Sequence, residues 1–394
     1  MGFLFTSKKK ERIVAIFDIG SDSIGGAIVR IPLDGKIVPE IIKSIKNVEI
    51  KFRENLDFDL MMLDMNSALY SAAKSLHDKK SGAPDEIFCV MASPWYLSET
   101  RVIKLKKENP FIFSKSLATK LIKNEVSNLV QIFKNKYGES EGLPEIIEQN
   151  IMSVSLDDSV EEEPLGKRCK SLEMNMLVSL VPKIYLDKMR EELSKIYHST
   201  NVSFSSFTMA TYLAVRDRYV TEDSYLLLDV SGEITDIGIV SKGVLKTVLS
   251  FPFGKRTVFK QICSKMNIEL RDAKELFNLY NDKNLSKEHT KKLDLVIESI
   301  EKSWNDSFNQ CIGSLPSDLV LSNTIFFTAD NDIMHWFTQI LNNEKYLKSK
   351  FSSRKFKIVA IEGSEFLNMC SVGDGICDPF IMIESISVMR KIVK

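Results

Sequence analysis

The stretch IVAIFDIGSDSIGGAIV, Ile13–Val29, decides the reading of this chain. Ile13–Phe17 is an unbroken apolar run with β-branched residues that ends on Asp18; Gly20-Ser21-Asp22-Ser23 then reads as a tight polar turn, and Ile24–Ile31 resumes as a strand. A second stretch, YLLLDVSGEITDIGIVSKG at Tyr225–Gly243, repeats the plan. Tyr225–Leu228 ends on Asp229, a polar turn follows, and Ile237–Val240 resumes before the turn Ser241-Lys242-Gly243. A similar hairpin opening each half implies two related α/β domains.

Each turn offers an aspartate at a strand end and hydroxyls at Ser21, Ser23, Ser231 and Thr235. Consecutive turn amides form an anion-binding concavity, and hydroxyls add donors to phosphate oxygens. Asp18 and Asp229 are hard oxygen ligands of the kind Mg²⁺ takes, through its retained waters. Two such turns facing each other across a cleft would hold the phosphate tail of a nucleotide, ATP with Mg²⁺. The plainer reading of either motif alone is an ordinary β-hairpin with a polar turn; the pairing favours the phosphate site.

Between and beyond the hairpins the pattern alternates strands and helices. Helical spacing marks Asp59–Lys79, Ser114–Lys136 and the segment from Pro182 to about His198. Short strands are expected at Ile87–Met91 and Leu172–Val181. The interval Tyr137–Gly166, with Asp157-Asp158 and Glu161-Glu162-Glu163, reads as a solvated loop or hairpin tip. After Gly254 the chain is mainly helical to about Asn309; Leu319–Thr328 and Phe356–Ile361 read as strands, and Asp332–Leu347 and Asp378–Val393 as helices.

Composition narrows the function classes. The 394 residues suit two or three domains, and 53 Lys+Arg balance 53 Asp+Glu, so no global field favours nucleic acid. Six scattered cysteines without a CxxC pair give zinc no support and read as thiols of a reducing cytosol, and four isolated histidines (His77, His198, His289, His335) read as surface or helix-end residues. No apolar run approaches the ~20 residues that span a bilayer. The tip Met1–Arg12, with Gly2 and Thr6 in a myristoylation pattern, is a frayed terminus or a weak membrane tether. The Gly-Lys dipeptides at Gly35, Gly166 and Gly254 lack the following Ser or Thr of a P-loop.

These motifs carry a resemblance. IFDIGSDSIGGAIV resembles the first phosphate motif of the actin-like ATPase superfamily and LLLDVSGEITDIGIV its second. CVMASPWYLSET, PLGKRCKSLEMNMLVSLVPK, FPFGKRTVFKQICSKMNIELRDAKELF and DPFIMIESISVMRKI resemble successive segments of the FtsA and PilM branch. The resemblance implies an actin/heat-shock-chaperone/sugar-kinase-like (ribonuclease-H-like) two-domain α/β fold with a small inserted α+β subdomain. The expected division is 1–83 and 200–377 for the two domains, 84–199 for the insertion and 378–394 for a closing helix returning to the first domain. The insertion is expected to be a separable module that makes protein contacts and touches no nucleotide. Carried over, Asp18 orders the Mg²⁺ shell, and Gly20, Ser21, Asp22 and Ser23 face the β- and γ-phosphates. Asp229, Ser231, Gly232, Glu233 and Thr235 close from the other side, while Gly254, Lys255 and Lys274 approach ribose and base.

The departures shape the functional expectation. Ser231, Gly232 and Glu233 stand where the family has a run of glycines, and Glu233 adds negative charge beside phosphate. The adenosine motif's Gly-Gly is replaced by Thr328-Ala329-Asp330, which would crowd a purine. The helix expected to orient water, Ser206–Tyr212, carries neither Glu nor Gln. The resemblance therefore implies an ATP-binding scaffold and at most a slow ATPase, acting through self-association or partner binding with membrane-associated division machinery in the manner of FtsA. The alternatives are a PilM-like scaffold of type IV pilus assembly and a small-molecule kinase of the same fold. FtsA ends in an amphipathic helix, whereas this chain stops at Lys394, so contact with the inner face of the cell membrane is expected through the N-terminal tip or a partner.

Overall fold

The computed structural model describes residues 10–45, 47–53, 57–79, 82–137, 142–198, 201–316, 321–343 and 356–393. It divides into two compact units: Met1–Ala92, Lys188–Val220 and Ile361–Lys394 form the first, and Ser93–Asp187 and Thr221–Ala360 the second.

The first unit is built on a seven-stranded sheet that starts from the hairpin read in the sequence. Strand β1 (Glu11–Ile19) and β2 (Ser23–Pro32) pair antiparallel, with Asp18 opposite Gly25 and Ile19 opposite Ile24. From Val14 onward β1 is wholly buried, which is why it reads as a continuous apolar run and not as an alternation. The sheet extends through β3 (Glu40–Ser44), β4 (Val48–Glu49), β5 (Glu86–Met91), β10 (Val202–Ser206) and β16 (Ser371–Val372), in the order β10-β5-β1-β2-β3-β16 with β4 on β2. Helix α1 (Phe58–His77), N-capped by Asp57, packs on β2. Helices α4 (Phe207–Arg218) and α9 (Pro379–Val393) pack together, and α9 lies on β1 and β2.

The second unit carries two sheets. One is four-stranded and antiparallel, β6 (Leu97–Ile112), β7 (Pro144–Leu156), β8 (Ser159–Val160) and β9 (Arg168–Pro182) in the order β6-β9-β7-β8. Helix α2 (Lys115–Tyr137) covers one face, packing Ala118, Leu129 and Phe133 against Met174, Met176, Val178 and Leu180. Helix α3 (Lys183–Tyr197) then carries the chain across the boundary between the units.

The other sheet runs β13 (Val244–Phe251), β12 (Thr235–Ser241), β11 (Tyr225–Val230), β14 (Thr324–Ala329), β15 (Lys357–Ala360). It packs on α5 (Lys255–Met266), α6 (Leu270–Asn281), α7 (Lys287–Gly313) and α8 (Asn331–Asn342) around Trp304, Trp336, Phe277 and Phe308. The Trp304 ring stacks on Phe308 at 5.2 Å and meets Phe251 and Phe337 edge-on.

Two readings need correction. The interval Tyr137–Gly166 is not a solvated loop: it contains the 13-residue strand β7, and only Asp157-Asp158 form a hairpin tip, both with positive φ. Two register shifts in β7 break the alternation that marks a strand. Of the 16-residue β6 the sequence reading touches only Leu97–Thr100, at the end of CVMASPWYLSET; its exposed lysines and a register shift between Lys106 and Phe111 hide its period. Residues 84–92 and 188–199 fall in the first unit and Ser93–Asp187 in the second, and β5 sits between β10 and β1. The tip with Gly2 and Thr6, the first residues of the strand expected from Leu319 and the end of the helix expected to Leu347 lie outside the described residues.

Trp304→Ala leaves a large cavity in the second unit, and about 3–5 kcal/mol of stability should be lost. Trp304→Phe should lose clearly less. Urea titration of both variants checks this, and equal losses would contradict the ring-packing account.

Candidate functional site

The turn of the first unit is held by the backbone. Gly20 N donates to Ser23 O at 3.0 Å, and Ile50 N donates to Asp22 O at 2.7 Å. A Cβ on Gly20 would stand 2.7 Å from Ser23 O, so only glycine closes this turn. Ser21 is fully buried, Asp22 and Ser23 are partly exposed, and Asp18 is 8% exposed at the end of its buried strand. The structure thus gathers Asp18, Gly20, Ser21, Asp22 and Ser23 in one turn.

The turn of the second unit has more elaborate support. Ser231 N and Oγ both donate to Ile234 O, at 3.0 and 2.9 Å. The first amides of α5 come down on the turn: Lys255 N donates to Ser231 O at 2.9 Å and Arg256 N to Gly232 O at 2.7 Å. This approach needs Gly254, whose Cβ would fall 2.5 Å from Gly232 O. Gly254 therefore shapes the turn, and the positive end of α5 is spent on its carbonyls. Asp229 accepts from Thr328 Oγ1 at 2.7 Å. Thr235 looks into the core, donating to Phe253 O at 2.5 Å and accepting from Trp304 Nε1 at 3.2 Å.

Glu233 brings no uncompensated charge to this turn. Its buried carboxylate lies 3.3 Å from Lys260 Nζ and 3.6 Å from the buried Arg256 guanidinium. Two cations on one carboxylate leave the turn favourable to an anion. Lys255, expected near the ribose, is bridged to Asp330 at 2.7 Å and Asp332 at 3.0 Å on the first turn of α8. Ala329 is buried, paired with Val230, and no glycine opens the backbone there. Lys274 lies on α6, partly exposed, and the ion pairs around Glu233 are made by Lys260 and Arg256 instead.

Three carboxyl-bearing positions escaped the sequence reading of the site. Asp236, directly opposite Asp229 in the hairpin, accepts from Ser93 Oγ at 3.0 Å and Ser250 Oγ at 2.5 Å. Burial pushes its carboxyl up from the usual range, and those two hydroxyls offset part of the shift. In the first unit Glu384 and Asp378 come from the closing helix; burial raises both, and for Glu384 the neighbouring Asp18 and then Asp378 add to the rise. The signal for Asp236 was the Thr-Asp that ends the second motif; for Glu384 it was an acid amid Ile381–Val388.

Each turn by itself offers an oxygen donor of the kind Mg²⁺ takes. The carboxylates Asp18 and Asp229 are hard ligands. In the first unit Glu384 is fully buried on α9. Among the described residues no helix is long and apolar enough to cross a membrane.

No protein-family model matches the chain, and no curated protein matches it by sequence. Solved structures do. A chain of a PilM-PilN type IV pilus biogenesis complex aligns at TM-score 0.60 and 11% identity, over 97% of this chain and 98% of that one. An actin-like ATPase fold protein of unknown function from Bacteroides thetaiotaomicron aligns at TM-score 0.39 and 10% identity, over 91% and 94%. Glucokinase from Balamuthia mandrillaris aligns at TM-score 0.41 and 11% identity, over 98% and 95%.

Because burial raises the Asp236 carboxyl, its neutral form stabilises the fold below the ordinary value of about 3.9, and that contribution is lost as pH rises through the raised value. Asp236→Asn keeps an acceptor for Ser93 and Ser250 without the charge. Its melting temperature should exceed that of the native chain at pH 7 but not at pH 4, by about 2–4 °C per kcal/mol of relieved strain. Parallel melting profiles for the two proteins would refute the assignment.

Proposed function

We propose that this chain binds ATP with Mg²⁺, each hairpin turn being a phosphate-binding element of its own unit, and uses the bound form to hold a protein partner, as a scaffold of the PilM kind. The observation that carries this reading is the repeated hairpin. Asp18 and Asp229 end buried strands at corresponding positions, and the one acid that would repel phosphate, Glu233, is neutralised by Arg256 and Lys260. Support for the PilM kind comes from the alignment with a chain of the pilus biogenesis complex, which leaves almost none of either chain out. Self-association, and contact with a membrane through a pilus-type inner-membrane partner, belong to the same reading. A division role has no observation of its own in its favour.

In this proposal the nucleotide regulates and is scarcely consumed. When bound, Mg²⁺ supplies charge neutralisation for the phosphates. The chain's own contribution is the rigid turns, the carboxylates at their strand ends and the cations beside Glu233. Helix α4 buries Thr208 and Thr211 and carries no Glu or Gln to orient water. The crowding at Ala329 and the Lys255 bridge to Asp330 and Asp332 leave a base less room than a glycine turn would, so affinity rests mainly on the phosphates.

Asp18→Ala should abolish Mg²⁺-dependent ATP binding while the melting temperature stays near that of the native chain. Calorimetry with and without Mg²⁺ measures this, and unchanged affinity would sink the nucleotide assignment. Phosphate release should stay well below about one per second, the lower edge of ordinary enzymes; faster turnover would reveal a water-orienting group elsewhere.

A further inference from the structure

The first unit carries a pocket of about 350 Å³ at the C-terminal end of α9. Val38 and Pro39, which follow β2, line it together with Met369 and with Ile386, Met389 and Val393 of α9. One ion pair marks its wall: Arg390 of α9 meets Asp217 of α4, and Arg216 meets the same side chain at 3.3 Å. The Arg390 side chain remains 39% exposed, and a guanidinium has more N–H donors than this pair uses, so donors are left for a carbonyl at the mouth. Methionines at two points of the wall let it fit side chains of more than one shape. Apolar lining around one placed polar contact is the make-up of a site that anchors an apolar segment.

The chain enters the fold at this same end. Lys10 O accepts from Leu33 N at 3.0 Å and Glu11 stands opposite Pro32, so residues 1–9, outside the described residues, join β1 beside Leu33. Leu33 is two positions before Gly35, a step of at most about 7 Å. Gly35 itself lines the pocket and approaches the end of α9, where a Cβ on it would stand 3.1 Å from Val393 Cγ1. What enters there is Met1-Gly2-Phe3-Leu4-Phe5-Thr6-Ser7-Lys8-Lys9, an apolar tip on a polar, basic stem. From Lys10 back to Phe5 an extended chain reaches about 17 Å, longer than the step from Leu33 to Gly35. Two phenylalanines and a leucine left in water are unfavourable, and the stem keeps them near a pocket of matching character. Tethering over so few residues sets an effective concentration of about a millimolar, so a weak apolar contact suffices.

We infer that this pocket is the seat of the chain's own N-terminal tip, Phe3, Leu4 and Phe5 filling it and Arg390 donating to a tip carbonyl at its mouth. The seated tip is withheld from every other apolar surface, and whatever displaces it exposes tip and pocket together. Neither hairpin turn takes part, so the nucleotide reading stands or falls separately.

The test follows the methyl resonances of Met369 and Met389 in the full chain carrying ¹³C-methyl methionine, assigned with Met369→Leu and Met389→Leu. In a variant with Phe3→Ser and Phe5→Ser both resonances should move, because two rings leave the pocket, while those of Met266 and Met334 in the second unit stay in place. Tryptic release of the tip after Lys8 and Lys9 should be about fivefold faster or more in that variant and in Met389→Glu, and no faster when the two are combined, as cleavage follows the population of the open form. The substitutions in the tip remove nothing from the described core, so that variant serves if Met389→Glu does not fold. Met369 and Met389 resonances that ignore the tip substitutions overturn the inference. So do shifts that grow with protein concentration, which give the pocket to the tip of a second copy. Loss of binding to vesicles of anionic lipid without any methyl shift overturns it too, and makes the tip a membrane anchor only.

Discussion

The constraint on which this structure turns is the cost of ending a fully buried strand on a carboxylate. Strands β1 and β11 are apolar almost to their ends, and each finishes beside an aspartate that has lost nearly all its water. Such a group must be hydrogen-bonded, paired or protonated. The second unit answers with side chains from many places. Thr328 donates to Asp229, Ser93 and Ser250 to Asp236, and Arg256 and Lys260 face Glu233. Ser93 reaches Asp236 from just before β6, so the Asp229 hairpin is tied to the chain that leads into the four-stranded sheet.

The two units differ in how rigidly their turns are built. In the second, the first amides of α5 are tied to two turn carbonyls, and the absent side chain of Gly254 makes room for them. This fixes the turn before any ligand arrives, at the expense of the helix end as an anion site. In the first, the backbone closes the turn through Gly20 and Ile50, and α9 delivers one more acid beneath it.

The hairpins were legible because burial on both faces writes itself as an apolar run, and because a polar turn after such a run has few other uses. The strands β6 and β7 were not, since register shifts and a solvated face mix lysines and glutamates into them. Composition made the second of these look like a loop. Asp18 and Asp229 could be named from position alone. Lys260 and Arg256 could not, because one helical turn separates them and only the fold sets both against Glu233. Glu384 was hidden for the opposite reason: a helix buried from Ile381 to Val388 gives no face on which an acid would stand out. Ser93–Asp187 falls in the same unit as Thr221–Ala360, while β5 pairs with β1 in the other.

The strand order of the first unit has a consequence for how the chain is made. Its sheet takes β1, β2 and β5 from the first hundred residues, β10 from the middle and β16 near the far end of the sequence, where α9 also lies. The four-stranded sheet and α2, by contrast, come from one continuous stretch, Leu97–Pro182. Synthesis at about 5–20 residues per second would leave β1, buried on both sides in the finished molecule, without α9 for tens of seconds. Over that interval the apolar run Ile13–Phe17 lacks its finished cover, so wrong strand pairing is the hazard this topology carries.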